Sequence, residues 1–140
     1  MKLVVDSTVA FKWVVPEVNS DKSEKIQEDF QNQRFEIHTP DIFPIELAHA
    51  LTRSERQGRI LVGQAEMFWG DIMTTAPTST SSTSLALRTI QISSDLRIGV
   101  YDCLDVALAE IESCDFVTAD ERLIRNLQSY FPFVVSLDAM

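Results

Sequence analysis

The chain has 140 residues, which fits a single domain able to bury a sizeable core. Its 45% hydrophobic and 24% charged content is that of a globular protein, and no apolar run approaches the roughly 18 residues of a membrane helix. The formal net charge of −9 excludes a non-specific nucleic-acid binder working through a basic surface, but not a nuclease, whose clustered metal ligands are themselves acidic.

The chain opens on one Lys and then a strand pattern, so no signal peptide is expected at its start. Leu3-Val4-Val5 reads as a buried strand of a parallel sheet, and it ends in Asp6. An acid there points into the crevice where open α/β sheets hold ligands. Ser7 or Thr8 is placed to cap a helix from about Val9, and the competing reading makes Asp6 itself a cap and nothing more. Pro16 stops that first helix. Ser20 to Gln33 is a polar helix with Ile26 and Phe30 as a thin apolar stripe. Phe35 to His38 alternates as a second strand, and Thr39-Pro40-Asp41 is expected to turn.

A helix is expected from Pro44 to about Gln57, with Ile45, Ala48, Leu51 and Thr52 on one side and Glu46, His49, Ala50 and Arg53 on another. Gly58 ends it. Another helix spans Val62 to Ile72. The Thr- and Ser-rich run from Thr74 to Ser84 is read as a short edge strand, Ile72 to Ala76, then a loop whose Ser82 or Thr83 caps the next helix, Leu85 to about Leu96. Gly99 breaks that helix. Tyr101-Asp102 opens a helix over Cys103 to Ser113, with Leu104, Leu108 and Ile111 on its apolar side. Asp115 to Thr118 is a strand, Glu121 to Ser129 a helix and Pro132 to Leu137 a last strand. The alternation predicts an α/β fold: one domain over residues 1–140, a central, mostly parallel sheet of four to five strands, helices on both faces.

Four acids stand at element ends: Asp6, Glu46, Asp102 and Asp120. Asp105 follows Asp102 by one helical turn on the same face, and Glu112 lies two turns further along as a solvated residue. Singly, each acid also reads as a cap or a surface residue. Jointly, converged carboxylates repel and need compensation, and few Lys or Arg stand beside them in sequence. All-oxygen ligands suit a hard cation, Mg²⁺ or Mn²⁺. Other chemistries lack residues. His38 and His49 with Cys103 and Cys114 form no zinc spacing, the four glycines form no phosphate loop, and no nucleophile elbow is present. The two cysteines suggest no disulfide framework and a reducing, cytoplasmic setting.

These residues carry a resemblance. Val4-Val5-Asp6-Ser7, Pro44-Ile45-Glu46-Leu47, Tyr101-Asp102-Cys103-Leu104 with Val106 to Glu110, and Phe116 to Leu123 with Thr118-Ala119-Asp120 at its centre resemble the PIN-domain ribonucleases. Within these, the chain looks like the VapC-like toxins of prokaryotic toxin–antitoxin pairs, over essentially its whole length. The resemblance implies a metal-dependent endoribonuclease with an acidic site at Asp6, Glu46, Asp102 and Asp120, a cognate antitoxin, and commonly a homodimer. The expected mechanism is hydrolysis of RNA by metal-activated water, with those four acids around Mg²⁺ and Asp105 as either a further ligand or a solvated charge. Ser7 and Thr118 are expected to hydrogen-bond site acids, and Arg53 and Arg56 to steer phosphate or simply to face solvent. Asp105 departs from the family by standing where an aromatic is common, and the Thr/Ser run is unusually bland for its strand and loop. The alternatives are an RNA-processing or DNA-directed PIN nuclease without an antitoxin, a non-catalytic interaction module with relic acids, and a phosphoryl-transfer α/β domain built on Asp6.

Overall fold

The computed structural model describes residues 1–140. Five strands form one wholly parallel sheet: β1 Lys2–Val5, β2 Glu36–Pro40, β3 Thr78–Thr80, β4 Asp115–Thr118 and β5 Val134–Ser136. Their spatial order is β3-β2-β1-β4-β5. Seven helices connect them: α1 Ser7–Phe11, α2 Ser20–Gln31, α3 Phe43–Arg56, α4 Gln64–Thr74, α5 Ser82–Leu96, α6 Val100–Glu112 and α7 Glu121–Leu127. A 3₁₀ turn, Leu137–Ala139, ends the chain. No helix is long and apolar enough to cross a membrane.

The two faces of the sheet bury separate cores, and the alternation of β1 decides which residue serves which. Leu3 and Val5 join Ile37 and Val117 under α1 to α4, whereas Val4 joins Phe116 and Val134 under α5 to α7. This two-sided burial is why the strands read as continuous apolar runs. The strand order reverses between β1 and β4, because the chain builds outward from β1 in one direction through β2 and β3 and then in the other through β4 and β5. The crevice at the carboxyl ends of such a pair is where open α/β sheets bind ligands.

Several elements differ from expectation, each for a local reason. The first helix starts at Ser7, with Asp6 as its cap in place of Ser7 or Thr8. Thr39 and Pro40 belong to β2 and do not turn; Pro40 ends the strand. The edge strand is Thr78–Thr80 and not Ile72 to Ala76, because α4 runs on to Thr74 and buries Ile72. Gly99 does not merely interrupt; it is the N-cap of α6. The buried side of α3 is Phe43, Leu47, Leu51 and Ser54, and Ile45 is exposed. On α6 the run Cys103 to Ala109 is buried throughout, while Ile111 faces solvent.

Candidate active site

Asp6 sits where β1 passes into α1, and its side chain is committed on one oxygen. Oδ1 accepts from the backbone N–H of Thr8 at 3.1 Å and of Val9 at 3.4 Å, and from the Thr8 hydroxyl. Oδ2 accepts from Thr118 Oγ1 at 2.5 Å. A carboxylate has about four lone-pair sites, so Oδ2 keeps one to offer outward. Asp120 repeats the arrangement at the β4–α7 junction. Its Oδ1 takes the N–H of Arg122 at 3.0 Å and of Leu123 at 3.4 Å, and its Oδ2 meets the Arg122 guanidinium at 3.5 Å. The two caps are tied together. Thr118 Oγ1 accepts from Asp120 N–H at 3.1 Å while donating to Asp6, and Thr8 Oγ1 accepts from Ala119 N–H at 3.0 Å. Parallel pairing of β1 with β4, Val5 beside Val117, is what makes these bonds possible.

Glu46 in the first turn of α3 and Asp102 in the first turn of α6 approach this pair from either side of the sheet edge. Asp105 comes with Asp102 and is buried at 6% exposure, with no hydrogen-bond donor among its neighbours. Its position contradicts a solvated charge. The carboxyls feel one another. Burial pushes Glu46 up to about 7, and the charges of Asp6 and Asp102 add to that. Burial also raises Asp105 well above the usual carboxylate range, reinforced by Asp6, Glu46 and Asp102. Asp6 is raised by burial too, partly offset by its bonds from Thr118 and Thr8. Asp120 joins the group through Thr118 and through Arg122.

Arg122 is the cation of the site. It reaches Asp102 Oδ2 at 3.2 Å and Asp120 Oδ2 at 3.5 Å, bridging α6 and α7. It and Thr8 are the two participants that sequence reading missed. Both stand two residues after a capping acid, where the first helical turn brings a side chain back over the cap, and that spacing is the signal that finds them. Thr118 donates to a site acid, whereas Ser7 makes no such bond and instead borders the cleft. Arg53 lines a pocket beside the acids; Arg56, three residues on, is exposed and borders neither cavity there.

A cleft of about 900 Å³ opens in front of Glu46, walled by Ser7, Ile42, Ile45, His49 and Tyr101. Of the site acids Glu46 alone lines it, with Asp41 as a second carboxylate, and carboxylate oxygens are the ligand set of a hard divalent cation. In the arrangement seen, no three His, Cys, Asp or Glu side chains converge on one point, as expected of like charges held without a counter-ion. The residues present fit such an ion in chemistry and in charge, being carboxylates that lack enough positive charge beside them.

The sequence matches the PIN domain family over residues 3–127. No curated protein matches significantly. Among solved structures, PAE2754 from Pyrobaculum aerophilum superposes with a TM-score of 0.73 at 13% identity, over 99% of this chain and 85% of that one. VapBC2 from Rickettsia felis, solved bound to a DNA fragment from their promoter, gives 0.64 at 15% identity, over 97% of both chains. At such identities the likeness is one of fold.

Proposed function

The chain belongs to the PIN domain family, whose members are generally nucleases, and on that premise we propose that it is a Mg²⁺-dependent endoribonuclease, the toxin of a toxin–antitoxin pair. The observation that supports the reading is that Asp6 at the end of β1, Glu46 in the first turn of α3, Asp102 in the first turn of α6 and Asp105 one turn on stand at one edge of the sheet, where burial first and the neighbouring acids second raise Glu46 and Asp105 above the ordinary carboxylate range. A fold does not collect unpaired buried acids for stability, since each costs desolvation and repulsion. Such a cluster marks a functional site.

In this reading Asp6, Asp102 and Asp120 hold one or two Mg²⁺ ions, with Mn²⁺ able to substitute, and Glu46 and Asp105 complete the group. The bound ion supplies an activated water and neutralises charge on the phosphate oxygens. The chain's own residues do the rest. Thr8 and Thr118 hold Asp6 in one orientation, so its free Oδ2 lone pair is presented without a search among rotamers. Glu46 would orient the attacking water and accept its proton as the new P–O bond forms, while the departing ribose oxygen would take a proton from solvent as the old P–O bond breaks. Arg122, whose planar fork already spans Asp102 and Asp120, would offer its remaining N–H groups to a phosphate oxygen.

The antitoxin partner is supported by the resemblance to VapC-like toxins and by the shared fold with VapBC2. Exposed apolar side chains also favour protein partners, an antitoxin and a second copy in a homodimer. Leu61, Val62 and Met67 lie on and before α4, and Ile45 and Tyr101 lie beside the cleft. The test is purified protein with structured and single-stranded RNA, in Mg²⁺ and in EDTA. Cleavage that needs Mg²⁺ and stops on addition of the neighbouring gene's product is expected. Cleavage unchanged in EDTA defeats the metal assignment. Cleavage that the neighbour's product never inhibits defeats the toxin assignment and leaves an RNA-processing nuclease.

A further inference from the structure

A second pocket, of about 400 Å³, lies beside the acid cleft and differs from it in sign. The cleft is lined by Glu46 and Asp41; the pocket is lined by Lys12, Arg53 and Arg59 with one acid, Glu17. That leaves a surplus of two positive charges in a chain whose net charge is −9. The two cavities are continuous in their walls, since Ser7, His49 and Ala50 border both. Thr8 and Ala119, which tie the Asp6 and Asp120 caps together, form the near side of the pocket.

Glu17 reports what the pocket can hold. One of its oxygens takes Lys12 Nζ at 3.2 Å and the other takes Arg59 Nη2 at 2.6 Å, so two cations from distant parts of the chain already converge on one oxyanion. The Arg59 guanidinium lies over the Phe11 ring at 5.6 Å, which fixes its plane. Arg53 borders the same space and pairs with no carboxylate. Ser54, only 2% exposed, stands in the pocket wall, and its buried hydroxyl has no partner. A buried unpaired hydroxyl is costly unless something supplies its bond.

We propose that this pocket is a phosphate subsite, which grips a phosphodiester of the single-stranded RNA next to the one being cut, with Arg53 and Arg59 as its anion ligands. Glu17 is a tethered stand-in for that phosphate, displaced when the strand enters. A strand leaving the acids over Ser7 then meets attraction at once, so an acidic protein binds a polyanion through one local patch. The inference rests on the ribonuclease reading, because that reading supplies the strand.

The experiment is fluorescence anisotropy of a labelled mixed-sequence single-stranded RNA over a salt series, in EDTA so that the strand stays intact. Each cation lost from a phosphate contact lowers the slope of log affinity against log salt by about 0.7. Arg53→Gln is expected to lower the slope by that amount and weaken binding severalfold; with Arg59→Gln added, the slope falls by about 1.4. Glu17→Gln is expected to tighten binding severalfold, a gain that no folding defect imitates. Unchanged affinity and slope in both Arg53→Gln and Glu17→Gln, in a protein whose wild type binds and cleaves RNA, overturns the subsite and leaves the nuclease standing. A wild type that cleaves in Mg²⁺ yet binds no RNA in EDTA also overturns the subsite alone. A wild type that neither binds nor cleaves overturns both.

Discussion

The two edges of the sheet treat the same kind of side chain in opposite ways. At the amino edge Glu112 meets Lys2 at 2.9 Å and Glu36 meets His38 at 2.8 Å, and each carboxyl is held below its ordinary value by the bond from its partner. At the carboxyl edge Glu46 and Asp105 have no cation and are pushed up by burial and by each other's neighbours. The protein's acidity therefore does not explain the carboxyl edge. Acids elsewhere find partners, as Glu110 does with Arg88 at 2.6 Å. At the sheet's switch point they are left short of positive charge, and the one cation, Arg122, is shared by two of them. The contrast separates acids compensated by a partner from acids left short of one.

The largest expected difference is in catalysis. Asp102→Asn should lower RNA cleavage by roughly a thousandfold, the scale of removing a principal electrostatic group from an active site. Its thermal midpoint should stay within a few degrees of wild type, because the ion pair with half-exposed Arg122 is worth only about 0–1 kcal/mol. Asp6→Asn should cost cleavage similarly but also stability, about 1–3 kcal/mol, since an amide nitrogen facing the Thr118 hydroxyl leaves a buried bond unmade. Cleavage assays beside denaturant melts separate the two variants. Full activity in either one breaks the contrast.

Next comes the pH response without metal. The folded protein keeps a proton on Glu46 that the unfolded chain releases above 4.5, so this group's stabilisation is complete below that value and is lost as pH rises through about 7. Asp6 and Asp105, also raised, act in the same direction. Glu112 and Glu36, lowered, act in the opposite one, their contribution fading as pH falls through their folded values. Melts in EDTA should therefore show stability declining from about pH 4.5 to about pH 7, Mg²⁺ should restore it, and Glu46→Gln should flatten the decline. Stability in EDTA that rises over this range in wild type would show that the carboxyl edge is compensated after all.

The smallest effect belongs to the amino edge. Glu112→Gln should change stability by less than about 1 kcal/mol and leave cleavage alone, as for any exposed ion pair. A loss of cleavage there would mean that the two edges communicate.

Much of this was legible in the residues themselves. Strand, capping acid and helix follow one another at Val5-Asp6-Ser7 and at Thr118 to Glu121, and apolar runs buried on both faces announce a parallel sheet. Local pattern also located Glu46 and Asp102 in first helical turns, since acids favour the positive end of a helix. It was weakest where burial decides between faces. Ile45 looks like core and lies exposed, while Asp105 looks like surface and lies buried. Hydrophobicity cannot reveal that inversion, because the environment at each position is made by other elements.

Sequence by itself determined the parallel α/β frame and the carboxyl ends of β1 and β4 with the acids that follow them, because period, capping and chain connectivity act over a few residues. Tertiary structure alone decided that Asp6 and Asp120 share a hydrogen-bonded junction, that Arg122 spans two helices, and that three distant cations face one pocket next to the acids. The Asp6–Asp120 junction comes from the pairing of β1 with β4, whereas the pocket comes from the packing of α1 on α3. Charges interact through space, so only the packing of elements far apart in the chain settles which carboxylate is paired and which is left raised.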